Sequence, residues 1–146
     1  MIEDDFSLID TNILVYSFDE TDKEKNQLAG KILFDVLNGR KKASVSTQNL
    51  SEFYANIIRK VKYPLSSQET KSIIEDIIKS KNFAIFRFTE KTILKAIEIS
   101  NNFSVSYWDA LIAATMRENQ VFTIVTENER DFKKVPWLKV INPFSK

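Results

Sequence analysis

Four separated stretches of this sequence set carboxylates where apolar runs begin or end. Asp10 follows Phe6 to Ile9, Glu52 lies early in an apolar-striped segment, and Asp109 precedes Ala110-Leu111-Ile112-Ala113-Ala114. The fourth is Thr126-Glu127-Asn128-Glu129-Arg130-Asp131, which follows Val121 to Val125. Carboxylates sharing a crevice repel one another, and without a cation some must take up protons. A divalent ion removes that conflict, and ligation by carboxylate, amide and water oxygens suits Mg2+ or Mn2+. Such an ion activates water and neutralises charge on a phosphodiester, so these residue types point to metal-assisted phosphodiester hydrolysis without a histidine base.

Composition narrows the alternatives. The 146 residues contain no His and no Cys, which removes disulfide scaffolds, zinc fingers, thiol or serine proteases with an imidazole base, and haem ligation. Two glycines leave no material for a phosphate-cradling glycine-rich loop. With 21 basic and 20 acidic residues the net charge is +1, so any pull on a nucleic acid must be local. Charge is in fact regional. Residues 1–22 hold seven acids and no base, whereas residues 31–63 hold seven bases against Asp35 and Glu52. No apolar run is long enough to span a membrane, and the opening Met1-Ile2-Glu3-Asp4-Asp5 has the wrong sign for a signal peptide. The expectation is a cytoplasmic protein with no membrane partner.

The elements that must position these acids read as alternating strands and helices. Phe6 to Ile9, Ala43 to Ser46, Phe83 to Phe88, Val121 to Val125 and Leu138 to Ile141 are strand candidates, the fourth with the pattern of a strand buried on both faces. Thr21 with Glu24 has the capping-box spacing before Ala29, Ile32, Leu33, Val36 and Leu37, and Gly39 closes that helix. Leu50, Phe53, Tyr54, Ile57, Ile58 and Val61 recur at helical spacing up to Pro64, and Ser66 with Glu69 repeats the capping box before Ile73 to Ile78. Thr89 caps a helix broken at Asn101-Asn102, and Ser106 caps Tyr107 to Glu118. The fold class is α/β: one domain over 1–146, with a central, mostly parallel sheet flanked by helices on both sides. Functional groups in such sheets collect at the carboxyl ends of the strands, which is where the four acidic stretches fall.

Each acid also has a plainer local explanation. Asp10 can simply cap the turn that begins at Ile13. Asp109 can answer the dipole of its helix. Glu52 falls opposite the apolar stripe of its helix, the place of a solvated glutamate. Asn128 and Asp131 can be turn formers.

Taken together, Leu8-Ile9-Asp10-Thr11-Asn12-Ile13-Leu14, Asn49-Leu50-Ser51-Glu52-Phe53, Tyr107-Trp108-Asp109-Ala110-Leu111-Ile112-Ala113-Ala114 and Thr126-Glu127-Asn128-Glu129-Arg130-Asp131-Phe132 resemble the PIN domain family of nucleases. Within it they are most similar to VapC-like toxins of VapBC toxin-antitoxin pairs, a likeness shared by the ending Val140-Ile141-Asn142-Pro143-Phe144. The resemblance implies an endoribonuclease in which Asp10, Glu52 and Asp109 hold one Mg2+ or Mn2+, and it overrides the periodicity reading of Glu52. Where such proteins commonly carry aspartate two residues after the threonine matching Thr126, this chain has Asn128, an uncharged ligand candidate; Asp131 is the substitute, ahead of Glu127 and Glu129. Asn12 and Thr126 would orient Asp10 or a water, and Glu52 or Asp131 would position the attacking water. Arg40, Lys41, Lys42, Arg59 and Lys62 would carry the RNA backbone. Tyr54, Tyr107 or Trp108 can stack on an unpaired base, with core packing the preferred reading of Trp108. The toxin role further implies a small antitoxin partner and a homodimer. The competing readings are a catalytically impaired PIN-fold module that binds nucleic acid or protein, a housekeeping RNA-processing nuclease, and an aspartate phosphatase, which the absence of an acid at Asn12 disfavours.

Overall fold

Apolar runs of two to four residues cannot cover themselves, so they must lie side by side in a sheet that helices cover from both faces. The computed structural model describes residues 6–145, and Glu3, Asp4 and Asp5 of the acidic amino-terminal stretch lie outside them. The elements run β1 (Leu8–Ile9), α1 (Thr11–Tyr16), α2 (Lys23–Leu37), β2 (Ala43–Ser46), α3 (Thr47–Ile57), α4 (Ser67–Lys79), β3 (Phe83–Phe86), α5 (Glu90–Phe103), α6 (Tyr107–Glu118), β4 (Thr123–Val125), α7 (Glu129–Phe132) and β5 (Lys139–Ile141). The five strands lie in the order β3-β2-β1-β4-β5. Every neighbouring pair is parallel, so the expected α/β class holds and the sheet is parallel throughout its described strands.

Two side chains show how the faces are covered. Leu8 and Ile9 project to opposite sides of β1, as successive strand residues do. Ile9 joins a core with Ile13, Leu33, Val45, Phe53 and Ile77 from the α1 to α4 half, while Leu8 joins Ile112, Met116, Ile124 and Phe132 from the α6 and α7 half. A third cluster, centred on Ala96, Ala110, Ala113 and Ala114, seals α5 against α6. Small residues at that seam let the two helices approach closely.

The strand order also reverses direction. From β1 the chain steps outward to β2 and β3, then returns to the other side of β1 for β4 and β5. A crevice therefore opens at the carboxyl ends of β1 and β4, the position at which ligands bind in open parallel sheets. The register Ile9↔Val125 and the bond from the Asp10 N–H to the Val125 carbonyl at 3.0 Å set the two strand ends level.

Local chemistry explains where the elements depart from the sequence pattern. The start of α2 is capped by Asp22, which accepts from the Lys25 N–H; Thr21 is instead turned to Asp19, its hydroxyl donating at 2.7 Å. By contrast the Ser66–Glu69 box forms with both reciprocal bonds. Asn101 and Asn102 do not break α5, which continues to Phe103 and stops where Ser104 turns left-handed at φ 55°. The β-rich stretch from Phe83 ends as a strand at Phe86, and α7 is a short helix absent from the sequence reading. Among the described residues no helix is long and apolar enough to cross a membrane.

The Ile-rich stretch of α4 resolves by burial, since Ile77 is 0% and Ile78 55% exposed. Ile77→Ala is expected to lower the unfolding free energy by about 2–5 kcal/mol and Ile78→Ala by less than about 1 kcal/mol. Urea denaturation of the two variants checks this, and equal losses would contradict the packing described.

Candidate metal centre

Asp10 ends β1, caps α1 and is 6% exposed, so its carboxylate has been moved almost completely out of water. Neutral donors surround it. Oδ1 accepts from the Thr11 N–H at 2.8 Å and the Asn49 amide at 3.3 Å; Oδ2 accepts from the Thr126 hydroxyl at 2.7 Å and the Asn12 amide at 3.3 Å. Burial is the largest influence on this carboxyl, raising it from 3.8 to about 6. The Thr126 and Thr11 bonds oppose the rise, while the charges of Asp109 and Glu52 add to it.

Asn49 reaches Asp10 because α3 starts where β2 stops. Ser46 caps α3, and its backbone N–H and hydroxyl both donate to Asn49 Oδ1, at 3.0 and 2.8 Å. That leaves the Asn49 amide free to donate to Asp10 and to the Thr11 hydroxyl oxygen. Thr11 in turn donates to Glu52 Oε1 at 2.7 Å, and Gln48 donates to Glu52 Oε2 at 3.2 Å. Glu52 is therefore half-buried and engaged, which overturns the periodicity reading of a solvated glutamate. The apolar stripe located the core face of α3 but not what α1 places against the helix's flank.

On the other side of the crevice, Asp109 occupies the first turn of α6, whose cap Ser106 accepts from the Asp109 N–H at 3.2 Å. Burial raises the Asp109 carboxyl, with the charges of Asp131 and Glu52 adding to the rise and bonds from Ser106 and Asn128 opposing it. Asn128 donates to Asp109 Oδ2 at 3.2 Å, while its own N–H donates to Thr126 Oγ1 at 2.9 Å. Asn12 completes the frame, donating to Thr126 Oγ1 at 3.2 Å and accepting from the Glu127 N–H at 3.1 Å. Glu127 itself turns away, held by an ion pair with Lys25 and a 2.8 Å bond from the Tyr16 hydroxyl. Glu129 is bonded by Asn142 and Lys133, and Asp131 pairs with Lys134 at 3.7 Å.

The structure thus gathers Asp10, Glu52, Asp109, Asn12, Thr126 and Asn128 into one chain of hydrogen bonds, with Asp131 close enough for its charge to act on Asp109. It does not gather the basic residues there. Arg40, Lys41 and Lys42 lead into β2, at the opposite edge of a parallel sheet from Asp10, and Arg40 pairs with Asp35. Arg59 and Lys62 follow α3, at the far end of that helix from Ser46. Asn49, Gln48, Thr11 and Ser46 were not singled out as functional by sequence; the Ser46-x-x-Asn49 spacing was the available signal for two of them. Trp108 is 61% exposed, which corrects the core-packing reading.

Whether these residues suit a hard dication can be judged from their chemistry. The donors are all oxygens, and among the described residues no ion pair involves Asp10, Glu52 or Asp109. Each Asp10 oxygen has one short bond and one long amide contact that a cation can displace. The charge and donor types therefore fit Mg2+ or Mn2+. Among the described residues, however, no three carboxylates are grouped as a ready-made cage, because Thr11, Gln48 and Asn128 hold Glu52 and Asp109 to neutral partners.

A family model described as PIN domain matches residues 7–138. Among solved structures, the chain resembles a toxin-antitoxin complex from Klebsiella pneumoniae, with TM-score 0.68 and 19% identity over 96% of this chain and 99% of that one. It also resembles VapBC2 from Rickettsia felis bound to a promoter DNA fragment, with TM-score 0.65 and 20% identity over 94% and 98% of the two chains. VapC20 from Mycobacterium tuberculosis, a Sarcin-Ricin loop cleaving toxin, gives TM-score 0.67 and 16% identity over 88% and 94%. No curated protein sequence matches.

A carboxyl whose pKa is about 6 in the folded protein and 3.8 in the unfolded chain binds more protons when folded throughout that interval. Its effect on stability is therefore absent near pH 3 and becomes a growing penalty as pH rises through 4 to 6. At pH 7 the penalty is on the order of 2–3 kcal/mol. In EDTA, Asp10→Asn is expected to gain stability relative to the native chain as pH goes from 4 to 7, measured by urea denaturation at each pH. A difference that stays constant across that range would contradict it.

Proposed function

The chain belongs to the PIN domain family, and from that premise we propose that it is an Mg2+- or Mn2+-dependent endoribonuclease acting on RNA phosphodiester bonds, the toxin of a toxin-antitoxin pair. The observation that carries this reading is the buried Asp10 carboxylate, which shares its crevice with Asp109 and Glu52 and has no basic partner among the described residues. Support for the toxin role comes from the neighbours, whose descriptions name toxin-antitoxin and VapBC assemblies and, in one case, a Sarcin-Ricin loop cleaving toxin.

Asp10 and Asp109 would hold the ion, with Glu52 and Asn128 as further oxygen donors. When bound, the ion polarises the scissile phosphate and offsets the charge that builds up in the transition state. The remaining work belongs to the chain. The short bonds from the Thr126 hydroxyl and the Thr11 N–H fix one Asp10 oxygen each, and so the carboxylate meets its ligand already oriented. Glu52, held by Thr11 and Gln48, or Asp131 would orient the water and take its proton as the water oxygen bonds to phosphorus and the bond to the leaving oxygen breaks, that oxygen taking up a proton from solvent. Arg59 and Lys62 would hold the RNA backbone beyond α3. A small antitoxin covering the acidic crevice and a second copy forming a homodimer complete the proposed assembly.

With MgCl2 or MnCl2 the native chain is expected to cleave single-stranded RNA, and Asp10→Asn and Asp109→Asn to lose activity by about 100-fold or more. The same salts should raise the melting temperature of the native chain and not that of Asp10→Asn. Cleavage undiminished in both variants would defeat the assignment; metal-induced stabilisation without any cleavage would favour the impaired binding module.

A further inference from the structure

Trp108 stands 61% exposed although an indole gains much from leaving water. Its backbone is nonetheless anchored and one ring edge is in contact. Tyr107 meets it edge-on, with centroids 5.1 Å apart at 73°, and the Trp108 carbonyl accepts from the buried Gln48 amide at 3.1 Å. Gln48 also donates to Glu52, so one side chain ties the indole's backbone to an acid of the crevice. The next residue along α6 is Asp109, so the backbone that carries the exposed indole also carries an acid of the crevice.

Its surroundings favour one occupant. The nearby exposed residues Ser104 and Ser106 are polar, while of the exposed apolar side chains of α5 Leu94 lies toward the other end of the α5–α6 hairpin and Ile97 at its middle. Protein-docking faces are contiguous apolar patches of a few hundred Å2 or more. A lone, oriented aromatic face beside a phosphate-handling site is how proteins stack an unpaired base, whatever its identity.

We propose that Trp108 is the stacking platform for one unpaired nucleobase of the RNA whose phosphodiester is bound at the Asp10–Asp109 crevice. This rests on the nuclease reading and deepens it: the indole selects single-stranded over paired RNA without selecting sequence. Because a paired base hides its face in the duplex stack, a helix cannot engage the ring without opening.

The test needs no cleavage, so it stays separable from the nuclease assignment. In CaCl2, which offsets the crevice's acids without supplying the Mg2+ or Mn2+ of the nuclease reading, and at low ionic strength, a Trp137→Phe background leaves Trp108 as the sole indole of the two in the chain. Oligoadenylate is expected to quench its fluorescence saturably, whereas an abasic sugar-phosphate oligomer of equal length and an RNA duplex should not. By anisotropy of labelled oligoadenylate with Trp137 intact, Trp108→Ala should weaken binding about 5- to 100-fold and Trp108→Phe should restore most of it. Equal quenching by the abasic oligomer, or unchanged affinity in Trp108→Ala, overturns the proposal. So does a Trp108→Ala chain that loses self-association on sedimentation but keeps its RNA affinity, since the indole then belongs to a protein interface. Stacking without cleavage in MgCl2 would leave the platform standing and remove the nuclease reading instead.

Discussion

The arrangement depends on one electrostatic constraint: a carboxylate has been buried at the centre of a parallel sheet without a positive side chain to accompany it. Taking Asp10 out of water is unfavourable enough to lift its carboxyl to about 6. The surrounding residues moderate that cost with donors that carry no charge. Had a lysine or arginine been placed there, the site would be satisfied in the free protein and a dication would have little to gain. Amides and hydroxyls keep the carboxylate oriented while leaving its charge uncompensated, the condition under which a hard cation binds best.

The fold makes this possible by bringing together chain segments that are far apart. Asp10 and Thr126 are 116 residues apart, yet they share a 2.7 Å bond because β1 and β4 are neighbours in register at the point where the strand order reverses. On the other side of β1, β2 delivers Ser46 and the first two turns of α3, from which Asn49, Gln48 and Glu52 reach across to α1 and α6. The acids come from three helices and a strand end. The neutral side chains join those elements to one another, so they position the acids and brace the fold at once.

Two acids of the β4–α7 stretch show how tertiary contacts separate equivalent residue types. Glu127 is drawn from the crevice by Lys25, whose ammonium also lies over the Tyr16 and Phe144 rings at 5.1 and 5.5 Å. Asp131, four residues on, faces Asp109 closely enough to affect its protonation. Neither fate follows from position in the sequence, since it depends on which elements cover each end of α7.

By itself the sequence determined the class of fold, the order of its strands along the chain, and four acid-bearing stretches at the carboxyl ends of strands or in the helices that follow. Alternating apolar runs, capping residues such as Ser66 and Ser106, and the absence of imidazole and thiol are local or compositional facts, and local facts survive without a partner. Only the tertiary structure decided that Glu52 is engaged rather than solvated, that Asn128 donates to Asp109, that the Arg40 to Lys42 run lies at the wrong edge for the crevice, and that Trp108 faces outward. Each of these depends on what a distant element sets beside the residue. A side chain's periodicity records its own helix's core face and says nothing of a neighbouring helix that arrives from forty or a hundred residues away.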